Sequence, residues 1–177
     1  MFIPEPFFHH QKRCYVFFCA LLPVVFITLS SPATAADYDD GTLVLSKKDE
    51  VSSCTIPFKS GTYDFTSDGG GYGCENDDMY SIALNNVPSA TTVLMTDHPS
   101  CSKIENQNFW VEFKTIKQPT NALKNRAGKP ILISDFFTIN DGDVLVPGVR
   151  RTGGYHRNDD TINGKLSCVK IIRSETP

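Results

Sequence analysis

A glycine-rich turn followed by an acidic triplet occurs twice in this chain, and that repetition constrains the fold more than any other feature. Gly70-Gly71-Tyr72 leads to Asn76-Asp77-Asp78 and then to the short apolar stretch Ile82-Ala83-Leu84. Gly153-Gly154-Tyr155 leads to Asn158-Asp159-Asp160 and on to Leu166. A second echo supports the first, since Thr42-Leu43-Val44-Leu45 runs on to Cys54 and Thr92-Val93-Leu94-Met95 runs on to Cys101. The sequence thus predicts an internal duplication, with the order strand, cysteine, glycine-rich turn, acidic loop and strand in each half.

The repeat begins only after residue 36. His9, His10, Lys12 and Arg13 give a basic start, residues 15–29 are almost wholly apolar, and Ser31-Pro32-Ala33-Thr34-Ala35-Ala36 offers a small-residue cleavage site. That layout predicts a secretory signal peptide over residues 1–36. The apolar run falls short of the roughly 20 residues a membrane span needs. The mature chain, residues 37–177, is then expected as a single domain that is periplasmic or secreted.

Charge and cysteine content narrow the partners. The full chain carries 17 basic and 20 acidic side chains, a net charge of −3. Without Lys12, Arg13 and Glu5 the balance is slightly more acidic. No basic cluster offers a track for phosphates, so no nucleic-acid partner is expected. Cleavage also takes Cys14 and Cys19 and leaves Cys54, Cys74, Cys101 and Cys168. An even number in an exported chain predicts two disulfides, for which three pairings exist. Cys54–Cys74 with Cys101–Cys168 is favoured, because each pair closes one repeat on itself.

Strand signals dominate the mature chain. Residues 42–46, 62–66, 81–84, 91–96 and 109–115 read as strands, several with apolar and polar residues in alternation. Strand character resumes over 131–139, and Asn140-Asp141-Gly142-Asp143 predicts a hairpin into Val144-Leu145-Val146. The last strand is expected over 165–172, and Ala122-Leu123-Lys124 as one helical turn. Long stretches of helical periodicity are missing, so the expected class is an all-β sandwich or barrel.

The acidic loops carry a family resemblance. Asp77-Asp78-Met79-Tyr80-Ser81-Ile82 is similar to the βγ-crystallin calcium motif: two Asn/Asp residues, any two residues, then Ser/Thr-Ser. Asp159-Asp160-Thr161-Ile162-Asn163-Gly164 resembles it more loosely. The resemblance implies a Greek-key sandwich of two motifs, at about 40–88 and 89–173, the second with a long insertion over 115–151. It also implies a two-site calcium bowl built from Asp77, Asp78, Ser81, Asp159, Asp160 and Asn163. Calcium takes six to eight oxygens at about 2.3–2.6 Å, and adjacent aspartates before a strand offer carboxylates and carbonyls together. The competing account has Asn-Asp-Asp serving only to brace a turn.

Other chemistries find less support. His98 and Cys101 have ligand-like spacing, but no second pair completes a zinc site. His156 lies near Asp159 and Asp160 without any serine in a nucleophile context. Gly69-Gly70-Gly71-Tyr72-Gly73 is not followed by a Lys-Ser/Thr, which argues against phosphate cradling. Trp110 reads as core. The expectation is a non-enzymatic, calcium-stabilised protein that binds an unknown protein or cell-surface partner. A proteinase inhibitor using a loop at 121–130 or 146–151 is the alternative, and a secreted toxin or host-interaction factor is a third class.

Overall fold

Two antiparallel sheets pack over one core, and each half of the chain places strands in both. A computed structural model describes residues 40–50, 54–67, 71–157 and 162–174. The expected leader, residues 1–36, therefore lies outside the described residues. The strands are β1 (Thr42–Ser46), β2 (Cys54–Pro57), β3 (Gly61–Asp64), β4 (Ser81–Val87), β5 (Thr91–Thr96) and β6 (Phe109–Thr115), followed by β7 (Thr120–Ala122), β8 (Ile131–Leu132), β9 (Val144–Val146), β10 (Val149–His156) and β11 (Cys168–Arg173). One sheet runs β2-β1-β4-β7, with β8 also paired to β4. The other runs β3-β11-β5-β6-β10-β9.

Alternation along the strands fills the space between the sheets. Leu43, Leu45, Ile56 and Leu84 from the first sheet meet Val93, Met95, Phe113 and Val169 from the second, all fully buried. Burial of apolar side chains at this scale is the main force holding the sheets together. Cys54 is bonded to Cys74 and Cys101 to Cys168.

The first half contributes β1, β2 and β4 to one sheet and β3 to the other. In the second half, β5, β6 and β11 join the other sheet while β7 and β8 cross to β4. The register matches as well as the topology. Ser46 lies opposite Ser81 and Thr96 opposite Cys168. The Tyr80 amide donates to the Ser46 carbonyl, and the Ser167 amide donates to that of Thr96. Ile133 donates to the Tyr80 carbonyl and Phe65 to that of Ser167. Tyr80 is thus the counterpart of Ser167. By the same count Asn76 corresponds to Asn163, not to Asn158.

Three expectations are corrected. Residues 131–139 do not form one strand, because a 3-10 helix spans Ile133–Thr138. Three residues per turn put Ile133 and Phe136 on the same inward side, and both are fully buried. The Asp135 carboxylate receives the Leu132 amide at 3.0 Å and fixes the start of the turn. The Asn140–Asp143 turn then joins this helix to β9, which forms its hairpin with β10. Ala122 ends a strand instead of starting a helical turn, since Thr120–Ala122 pairs with β4.

Gly153-Gly154-Tyr155, finally, is not a turn but part of β10, paired with β6 across a bulge at Thr152. The glycines make room. A Cβ on Gly153 would stand 3.3 Å from the Trp110 ring, and one on Gly154 3.2 Å from Phe137.

Asp40 ties the start of the described chain to its end. Its carboxylate accepts from the Arg173 guanidinium and lies 3.4 Å from the Lys59 ammonium. The hydrogen bond from Arg173 and its charge hold the Asp40 carboxyl below the ordinary carboxylate range, against partial burial. A lowered pKa gives stability that is present above the unfolded value and lost as pH falls through the folded one. Asp40→Asn should therefore cost about 0.5–1 kcal/mol at neutral pH, the scale of a half-exposed pair. The gap from wild type should close as pH drops below about 4. Denaturant melts of both proteins between neutral pH and acid check this, and a constant gap would sink it.

Candidate functional site

Local pairing brings the first acidic loop against the segment before β11. The Asp77 amide donates to the Leu166 carbonyl at 3.2 Å, and the Gly164 amide donates to the Met79 carbonyl at 2.9 Å. These bonds are mates under the correspondence set by Tyr80 and Ser167. Both donors have positive φ, 57° at Asp77 and 79° at Gly164. Asparagine, aspartate and glycine tolerate that conformation best. Met79 and Leu166, the two acceptors, are fully buried. The loops are pinned back to back by burial on one side and hydrogen bonds on the other.

The six residues implied as calcium ligands have different surroundings. Asp159 and Asp160 lie outside the described residues. Asp78 is 3.1 Å from the Lys47 ammonium, which also pairs with Glu75 at 2.6 Å. Glu75 foremost, and then Asp78, hold Lys47 protonated above its ordinary range. Ser81 is buried at the start of β4, opposite Ser46 and Leu132. The Asn163 Oδ1 accepts from the Ser134 amide at 2.9 Å while its Nδ2 donates to Ser134 Oγ at 2.9 Å. Asp77 is exposed and forms no ion pair among the described residues.

Two residues outside that set bear on Asp77, one by contact and one by charge. Ser167 Oγ lies 3.4 Å from Asp77 Oδ1. Asp97 follows β5 and accepts the Asn108 amide at 3.1 Å. Burial pushes the Asp97 carboxyl up, and the neighbouring Asp77 charge pushes it further, partly offset by Asn108 and Lys165. A carboxylate beside a hydroxyl, with a second carboxylate close enough for its charge to be felt, suits a hard cation in chemistry. Among the described residues no three His, Cys, Asp or Glu side chains gather as a metal group. Any calcium here would draw the rest of its oxygens from carbonyls and water. Asp97 and Ser167 were legible only through strand register, since Asp97 corresponds to Lys47 and Ser167 to Tyr80.

A second concave feature lies on the outer face of the first sheet, a trough of about 970 Å³. Its floor includes Ser46, Ser81 and Ala83. Turn 47–50 forms one wall and the 123–130 loop the other. The loop is held by one side chain: Asn125 Oδ1 accepts from the Ala127 and Lys129 amides at 3.0 and 3.1 Å. The Asn125 amide also donates to the Lys129 carbonyl at 2.7 Å. Residues 146–151, by contrast, form the β9–β10 hairpin with Val146 and Val149 buried. They make no projecting loop.

Among the described residues no helix is long and apolar enough to cross a membrane. Comparison with protein-family models, curated proteins and solved structures finds no match.

Proposed function

We propose that the chain is a non-enzymatic, exported βγ-crystallin-like protein that acts by binding and is stabilised by calcium. The carrying observation is the mirrored pair of hydrogen bonds, Asp77 to Leu166 and Gly164 to Met79, which sets two corresponding loops back to back. The exchange of one region from each half into the opposite sheet is what two Greek keys would produce, and it supports the same reading. Two disulfides suit an oxidising compartment outside the cytoplasm.

In this reading Asp77, Asp97 and Ser167 hold the cation on one side of the loop pair. Calcium would supply positive charge that relieves the repulsion between the two carboxylates. The corresponding position on the other side has Gly164, Lys47 and Tyr80 in place of Asp77, Asp97 and Ser167, and its Lys47 ammonium is already paired with Glu75 and Asp78. With two carboxylates, the affinity belongs to the weak extracellular class, with Kd about 10⁻⁴–10⁻³ M. Calorimetric titration should give one event. The melting temperature should rise in 5–10 mM calcium, following about RT ln(1 + [L]/Kd). Asp77→Ala should remove both effects, and Asp97→Asn should remove binding while slightly raising the melting temperature of the metal-free protein. No heat, together with no shift on adding EDTA, would end the calcium reading.

One observation favours the inhibitor as a second reading. The loop braced by Asn125 carries Lys124, Arg126 and Lys129, all exposed. A trypsin-like enzyme assayed with purified protein tests it, and undiminished hydrolysis would sink it.

A further inference from the structure

The trough beside the acidic loops has a floor too small for its walls. On the outer face of the first sheet Ser46 lies directly opposite Ser81, with Ala83 two residues on. Leu123 and Leu132 stand at the sides and remain 57 % and 37 % exposed. Small side chains under large ones leave about 970 Å³, at the top of the range of small-molecule sites.

Charge decides what such a space would accept. Lys47 and Lys48 line one wall, and Lys124 and Lys129 the other. Three acidic residues also line it. Asp135, however, is spent on the Leu132 amide and on Asn125 Nδ2, and Asp49 and Glu50 share the 47–50 turn with Lys47 and Lys48, which leaves the excess positive charge on the opposite wall, at Lys124 and Lys129. Lys47 is held by Glu75 and Asp78. Lys48, Lys124 and Lys129 have no ion pair among the described residues, and all three are exposed. Lysine stems of this kind pack along apolar surface while their ammonium groups stay in solvent.

We propose that this trough binds a small amphiphile, an apolar chain ending in a carboxylate. The chain lies over Ser46, Ser81 and Ala83 against Leu123 and Leu132, and the carboxylate meets Lys124 and Lys129. An extended peptide is the poorer occupant, because strand addition needs an open sheet edge. Here β1 and β4 are each paired on both sides. The Asn125 brace fixes one wall in advance, which lowers the cost of ordering it on binding.

The inference deepens the reading of the chain as a binding protein, and its test is separable from calcium. Calorimetric titrations of the mature, oxidised protein use dodecanoate and dodecyltrimethylammonium below their micellar concentrations. EDTA is present so that calcium soaps do not form. Dodecanoate should bind with one-to-one stoichiometry and the cationic chain should not. Lys124→Glu with Lys129→Glu should weaken dodecanoate by at least about tenfold. Ala83→Trp should fill the floor and abolish binding with the melting temperature and far-ultraviolet circular dichroism retained. Asp77→Ala should leave dodecanoate binding unchanged. No binding, equal binding of both chains, or binding only of an acidic peptide would overturn the proposal. Failure here with an intact calcium titration leaves the crystallin-like reading standing.

Discussion

Replacing Cys101 and Cys168 together by alanine is expected to cost about 4 kcal/mol, and replacing Cys54 and Cys74 about 3 kcal/mol. The order follows from the loops that each bridge closes, 67 residues against 20. A longer loop removes more conformational freedom from the unfolded chain. Burial does not separate the two bridges, since Cys54 and Cys101 are each 6 % exposed and Cys74 and Cys168 fully buried. Cys168 is fully buried, and with Cys101 and Leu94 it forms a small cluster on the outer face of the second sheet, against which Trp110 packs. The Lys103 ammonium lies 5.1 Å above the Trp110 ring. Cutting this bridge frees the segment that carries both Cys101 and Lys103. A domain of this size has about 5–15 kcal/mol of stability in all, so the first double variant should be marginal and the four-cysteine variant unfolded at 37 °C. Denaturant melts with the slope held in view measure this. Equal losses, or a larger loss at Cys54–Cys74, would show that loop length does not set the order.

What could be read from the sequence depended on how much of each signal is local. Strands β1, β5 and β6 were legible because Leu43 and Leu45, Val93 and Met95, and Phe109, Val111 and Phe113 keep a two-residue period. Strand β2 was missed, since Cys54-Thr55-Ile56-Pro57 is too short to show one. Strand β10 was missed because its glycines read as a turn. Their reason lies in the large side chains of Trp110 and Phe137, distant in sequence. The 3-10 helix hid within an apolar run that serves a strand equally well, and the spacing of Ile133 and Phe136 was the available clue.

The candidate site shows the same limit. The two Asn-Asp-Asp triplets suggest one alignment of the halves, whereas backbone pairing aligns Asn76-Asp77-Asp78 with Asn163-Gly164-Lys165. Strand register is set by long-range hydrogen bonds, and identical triplets do not report it. Lys47 and Asp97 each follow a strand of the first echo at corresponding positions. Nothing in either neighbourhood announces that Lys47 pairs with Asp78 while Asp97 takes the Asn108 amide.

Gly164 is where that alignment is most exposed to test. Its φ of 79° is the left-handed conformation, and a Cβ there would stand 2.8 Å from the Tyr80 ring. Gly164→Ala should therefore lose about 2 kcal/mol. Part is backbone strain and part is displacement of a ring that also borders the trough. The ring can swing, so the loss should be smaller than for a clash with backbone. The corresponding position, Asp77, already holds a side chain at φ 57°. Asp77→Gly should accordingly relieve strain and stabilise the metal-free protein by up to about 1 kcal/mol. It should also remove the carboxylate proposed to hold calcium. The two substitutions thus have opposite signs at paired sites. Denaturant melts with and without 10 mM calcium separate them: wild type and Gly164→Ala gain stability from calcium, and Asp77→Gly does not. If Asp77→Gly destabilises the metal-free protein instead, Asp77 supports the loop through its carboxylate, and the hydrogen bond from Ser167 is the first contact to remove next.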